Sequence, residues 1–319
     1  MKGARGIRRS QSGFSLIELL VVIAVLSATA YIALDAVDRD TSQIRYDMTE
    51  KRLQSIRSAV VGEQGLSANG APIVAGFVAD VGQLPPCLRA LIEPNTDCDQ
   101  DGTADFTPPA FGAAGPLSFG WRGPYLSENS VTLRDAWGNS GDAFDGIAPE
   151  TEFGWEVSAA ATSFDVSSLG RDRTAGGAEF YDVDHAMRSI SVSDFQLGLT
   201  AATITIDLTD VSGAARNVCL GVQVPDPTDE TTWDLIESSA GVIAVPANGT
   251  VSTTLTSLGT VTHGVRPVLV YDEDDTSVTG CSIGAGQEAN FLTNAILASR
   301  NFLFVPRTTP AASMAFTLP

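Results

Sequence analysis

Gly13-Phe14-Ser15-Leu16-Ile17-Glu18-Leu19-Leu20-Val21-Val22-Ile23-Ala24-Val25-Leu26-Ser27-Ala28-Thr29-Ala30-Tyr31-Ile32-Ala33-Leu34 is the stretch on which the reading of the chain turns. From Phe14 to Leu34 it carries a single charge, Glu18. As a helix it would span about 31 Å, roughly the thickness of a bilayer core. A lone carboxylate in such a helix costs on the order of 2.5 to 3.5 kcal/mol, so it demands a cationic partner. Cleavage after Gly13 would create one, the α-amine of Phe14, on the same helix or a neighbour. Residues 1–13 hold Lys2, Arg5, Arg8 and Arg9 and no acid, a leader that the positive-inside rule keeps cytoplasmic. A secretory signal has its small-residue cleavage site after the apolar run; here Gly13 precedes it, so the helix would survive processing.

The run Gly13-Phe14-Ser15-Leu16-Ile17-Glu18-Leu19 resembles the class III signal of type IV pilins and type II secretion pseudopilins. The resemblance implies cutting after Gly13 by a prepilin peptidase, N-methylation of Phe14, and pairing of Glu18 with a neighbouring N-terminus during assembly. It implies a homo-oligomeric filament shared with other pseudopilins or pilins and built on an inner-membrane assembly platform. The location implied is the bacterial inner membrane, single-pass, with the head in the periplasm or on an extracellular filament. The family usually has a Pro where this chain has Asp35.

A chain of 319 residues, 44% hydrophobic, can build two folded units beside an anchor. The net charge is −19, and −23 once the four leader cations are removed. Such a surface repels phosphate backbones, which argues against nucleic-acid partners, and it suits divalent cations or a salty medium. The four cysteines fall as two separated pairs, Cys87 with Cys98 and Cys219 with Cys281, read as disulfides of an exported body.

From Asp35 to Glu63 the pattern is polar but helical, with Ile44, Met48, Leu53, Ile56, Val60 and Val61 read as one apolar stripe against a head. Gly65, Asn69, Gly70 and Pro72 then break the helix. Phe77 to Pro86 is similar to the segment after the long helix of the major pseudopilin of type II secretion. Gly123-Pro124-Tyr125 and Asp135-Ala136-Trp137-Gly138-Asn139 resemble that family's Gly-Pro-Tyr and Asp-Pro-Trp-Gly-Asn motifs, with Ala136 in place of Pro. Trp121, Tyr125 and Trp137 read as packing residues.

Two loops carry acids in patterns that could hold Ca²⁺, which takes six to eight hard oxygens. Ser168 to Asp184 looks like the calcium loop of the major pseudopilin, with Arg173 where a Gly is usual. That resemblance implies ligands at Leu169 (carbonyl), Asp172, Asp182 and Asp184. Asp97, Asp99, Asp101 and Asp105 alternate around Gly102 like the start of an EF-hand loop, but Pro108 stands where the closing Glu belongs. Each loop is read either as a calcium site or as a solvated acidic turn.

Beyond Ser189 the family resemblance ends. Ile190-Ser191-Val192-Ser193 and the runs 202–208, 217–222, 250–255 and 267–271 are short and β-branched, reading as an all-β sandwich. Residues 290–301 are expected as a short helix before a last strand at 302–305. The fold class is therefore α+β: leader 1–13, transmembrane helix 14–34, pseudopilin-like helix and head 35–188, and a C-terminal sandwich-like domain 189–319. The only two histidines, His185 and His263, lie in no nucleophile or zinc motif, and no phosphate-cradling Gly-rich loop is present, so the chain reads as non-enzymatic. A filament subunit is the first functional reading. A minor or tip pilin with a binding module at its C-terminus is the second.

Overall fold

The computed structural model describes residues 15–63, 67–68, 71–72, 74–99, 101–108, 119–126, 133–139, 153–198, 203–226, 233–255, 258–283, 287, 290–305 and 311–319. It is α+β: one long helix, a small mixed head and a larger β-sandwich.

Helix α1 (Leu16–Val61) runs 46 residues, about 69 Å, with no break at Asp35. Ser15 caps it, its Oγ accepting the Glu18 N–H at 3.3 Å. Its N-terminal part is long and apolar enough to cross a membrane, and none of that window is buried. Gly62 ends it at φ +76°, donating to the Ser58 carbonyl; a Cβ there would sit 2.0 Å from the Ala75 oxygen.

The apolar stripe differs from expectation. Leu53, Ile56, Val60 and Val61 are buried, but Ile44 and Met48 are exposed, and Ser42 and Thr49 take the buried face. At 100° per residue Ile44 lies half a turn from Leu53, so the two cannot share one face.

After a short hairpin, β1 (Ser67–Ala68) with β2 (Ala71–Pro72), the chain forms α2 (Phe77–Val81) and a 3₁₀ turn at Leu88–Leu91. The head sheet has β3 (Glu156–Ala160) paired with β4 (Ser163–Ser168), which pairs in turn with β5 (His185–Ala186) and β6 (Ile190–Ser191). Ile190, placed by its pattern with the C-terminal strands, thus pairs with Phe164 in the head. The core under this sheet joins α1, α2 and the sheet through Ile56, Phe77, Leu91, Phe106, Trp155, Phe164 and Phe195.

The remainder is a sandwich. Strand β7 (Gln196–Gly198) leads into β8 (Thr203–Asp210), β9 (Arg216–Pro225), β10 (Trp233–Glu237), β11 (Ile243–Val245), β12 (Thr250–Leu255), β13 (Thr260–Thr262) and β14 (Gly264–Asp272). Then come β15 (Val278–Thr279), β16 (Ser282–Ile283), β17 (Ile296–Phe304) and β18 (Ala311–Leu318). One sheet runs β10-β9-β14-β17, with β11 also on β9; the other runs β12-β8-β18, β18 lying parallel to β8. Their facing side chains, among them Ile206, Leu208, Leu220, Val222, Val268, Phe304 and Phe316, form a second core.

Both faces of β9 and β14 are covered. On the outer face Cys219, Leu269 and Tyr271 lie under Val278, Cys281, Phe291 and Ala295. The expected helix at 290–301 is instead a single π turn, Phe291–Ala295, followed by nine residues of strand. Pairing with β14 along β17 overrides local propensity there, and the last strand is β18. Both disulfides are present, Cys87–Cys98 and Cys219–Cys281.

Candidate functional site

Gly13 and Phe14 lie outside the described residues. Glu18 occupies the first turn of α1 and is exposed, as are its apolar neighbours Leu16, Ile17 and Leu19. An acidic first turn suits the positive end of the helix dipole. The lateral surface of α1 before Ser42 is bare, so it is open to other helices or to lipid.

Above that bare segment the head holds α1 through its apolar core and through a buried carboxylate. Asp135 accepts from Thr49 Oγ1 at 3.2 Å, from the Trp137 N–H at 3.2 Å and from Asn139 Nδ2. Burial raises its pKa above the usual carboxylate range; the Trp137 N–H, the Ser168 and Thr49 hydroxyls and the Arg52 charge oppose that shift. Arg52 donates to the Arg134 carbonyl from the same stretch of helix. The Asp135-to-Asn139 segment therefore anchors the helix. Asn139 also reaches the Gly170 carbonyl at 3.4 Å, tying the anchor to the second acidic loop.

In loop 97–105 the paired backbones of Thr96 and Phe106 and the disulfide at Cys98 fix the ends. Asp97, Asp99 and Asp105 place ligand oxygens within 4.8 Å of one another. Asp105 accepts the Cys98 N–H at 2.8 Å, and Asp97 accepts the Gly102 N–H at 2.8 Å through one oxygen. Its other oxygen, Oδ1, is buried without a hydrogen-bond partner. At Asp99 the Asp101 N–H favours the charge, but desolvation and the carboxylates of Asp101 and Asp105 outweigh it and raise the pKa. Crowded carboxylates with an orphaned oxygen are a donor set that fits a hard cation. Asp101 stands apart from this group, its Oδ1 turned back to accept the Thr103 N–H at 2.7 Å.

Loop 169–184 is organised differently. Asp172 accepts the Thr174 N–H at 3.1 Å, Asp184 accepts the Gly176 N–H at 2.9 Å, and Asp182 is ion-paired with Arg171. Asp172, Asp182 and Asp184 form no close carboxylate group of the kind seen at Asp97, Asp99 and Asp105. Leu169 is buried, and Asp184 Oδ1 is buried without a partner. Arg171 was not singled out from sequence; the signal available was a base next to the first acid of an acidic loop.

Of the histidines, His185 meets the Tyr46 ring edge-on at 4.6 Å, and His263 is buried against Phe195. Both are packing residues in these surroundings.

Residues 8–30 match the family model described as the prokaryotic N-terminal methylation motif. The chain is 25% identical over 177 residues to the type II secretion system core protein G of Xanthomonas campestris pv. campestris, covering 56% of this chain and 90% of the relative. No solved structure matches.

Proposed function

We propose that this chain, pseudopilin-like by its methylation motif and its secretion-system relative, is a structural subunit of a type II secretion pseudopilus or a related type IV pilus-like filament. The observation that carries this reading is a single helix whose first half is apolar and bare while its second half is anchored in a folded head. Such a helix leaves the membrane by exchanging lipid for the helices of neighbouring subunits. Glu18 then finds its cation in the N-terminal amine that a prepilin peptidase exposes at Phe14. The assembly platform of the inner membrane is the partner that this exchange requires, and the head stands on the periplasmic side. The work of such a subunit is packing and assembly, with no catalysis called for.

Calcium is part of the proposal. Asp97, Asp99 and Asp105 would hold it, with backbone carbonyls and water completing the shell. It would screen three like charges and hold the loop that the Cys87–Cys98 disulfide closes.

Glu18→Leu tests assembly. The variant precursor is expected to be cleaved normally yet to be lost from filaments or to block secretion; normal incorporation of the variant would sink the proposal. A second reading, a minor or tip subunit with a C-terminal binding module, is favoured by the sandwich having a core of its own. Subunit stoichiometry in purified filaments separates the two.

A further inference from the structure

Loop 169–184 brings Glu179 and Asp182 toward one point, where two carboxylates repel unless a cation lies between them. The guanidinium of Arg171 lies there. Its Nε meets Asp182 Oδ1 at 2.9 Å, and its Nη2 meets Asp182 Oδ2 at 3.3 Å and Glu179 Oε2 at 2.9 Å. The Arg171 backbone N–H donates to the Tyr181 carbonyl at 2.8 Å, so main chain and side chain close the same loop. Gly177, at φ +63°, folds the chain onto the Asp182 carbonyl, which lies 2.0 Å from where a Cβ would be. A guanidinium meets a carboxylate with two parallel donors and stays charged at any physiological pH.

The closed loop presents an aromatic tip to α1. The Phe180 ring lies tilted at 5.3 Å from Tyr46, Tyr181 lies edge-on at 6.4 Å from the same ring, and the Tyr181 hydroxyl donates to Gln43 Oε1 at 3.0 Å. Trp137, beside the Asp135 anchor, also meets Tyr181, its ring tilted at 6.0 Å. The tip therefore braces α1 where the helix enters the head.

We infer that the guanidinium of Arg171 is the structural cation of loop 169–184, standing where a metal would otherwise be needed, so that this loop and its brace on α1 form independently of calcium. The inference goes beyond the filament role and does not depend on whether loop 97–105 takes calcium.

Hydrogen–deuterium exchange of the full-length protein in detergent, in CaCl₂ and in EDTA, tests it, because residues 97–105 and 171–184 report as separate peptides. In the wild type, 171–184 should exchange at the same rate in both media. Arg171→Gln should speed exchange of 171–184 and of the Gln43–Tyr46 segment by about tenfold in both media, with 97–105 unaffected. Asp182→Asn, the milder change, should do the same and decides the matter if the glutamine variant does not fold. Wild-type 171–184 opening in EDTA and closing in CaCl₂ would overturn the inference, as would unchanged protection in either variant. Insensitivity of 97–105 to EDTA would instead count against calcium in that loop alone.

Discussion

His263 sits between the head and the sandwich, 6.2 Å from the Phe195 ring, its backbone N–H donating to the Phe195 carbonyl at 2.8 Å. Both ring nitrogens are buried without partners. Burial, helped by the nearby Arg266 charge, pulls its pKa down to about 4. Arg266 is itself fully buried and lowered to about 9 by burial, with Asp80 opposing that shift. It donates to the Thr262 hydroxyl at 3.1 Å and the His263 carbonyl at 2.8 Å. Because the folded-state pKa of His263 lies below the unfolded value of about 6.5, the unfolded chain binds the extra proton. Stability is therefore full above pH 6.5 and falls as the pH drops toward 4, by about 3 kcal/mol at most. Asp80, raised by burial against the opposing pull of Arg122, the Tyr125 hydroxyl and Arg266, works in the opposite sense, since the folded chain binds its proton more readily than the unfolded one. The difference between wild type and His263→Leu isolates the histidine: the variant's melting temperature should depend less on pH between 4 and 6.5. Equal slopes would show that the ring titrates freely in the fold. None of this was legible in the sequence, because His263 and Arg266 are buried by residues about 70 to 190 positions upstream. Glu18 was legible, since its anomaly, a charge in an apolar run, is entirely local.

The elements divide in the same way. Helix α1 could be read from composition because its apolar run and its polar helical continuation are local, but its buried face could not. Ile44 and Met48 satisfied a loose spacing rule while lying on the side away from the head. The strand β17 was misread because its partner β14 supplies what its own residues do not. Loop 97–105 lies between these cases: the acids were plain, yet Asp101 turns back on its own backbone, an Asx-turn geometry that alternation alone does not forecast. For this loop chelation is the measurement. EDTA should lower the melting temperature of the wild type, and Asp99→Asn with Asp105→Asn should remove most of that shift. Reduction of Cys87–Cys98 should weaken the calcium response by freeing the loop before it binds. A melt indifferent to chelator would leave loop 97–105 a solvated turn.

Across the whole molecule, two cores meet at a seam where α2 packs against β14 and the Phe195 carbonyl receives the His263 N–H. The seam decides how the sandwich can be removed. Ile190 and Phe195 belong to the head core, and β6 is part of the head sheet, although they follow the last residue that resembles a pseudopilin. A chain ending after Phe195 keeps the head-core contacts of Ile190 and Phe195; it loses the partners of α2, including the Arg266 charge near Asp80, and the His263 contacts at Phe195. A chain ending after Ser189 also removes two fully buried side chains, each worth about 2 to 5 kcal/mol in such a core. The longer truncation should therefore fold with a modestly lowered melting temperature and still enter filaments. The shorter should unfold near ambient temperature or fail to accumulate. If both truncations behaved alike in melting and incorporation, the head would not depend on residues 190–195. If the longer one folded but did not assemble, the sandwich would be part of the filament rather than cargo carried on it.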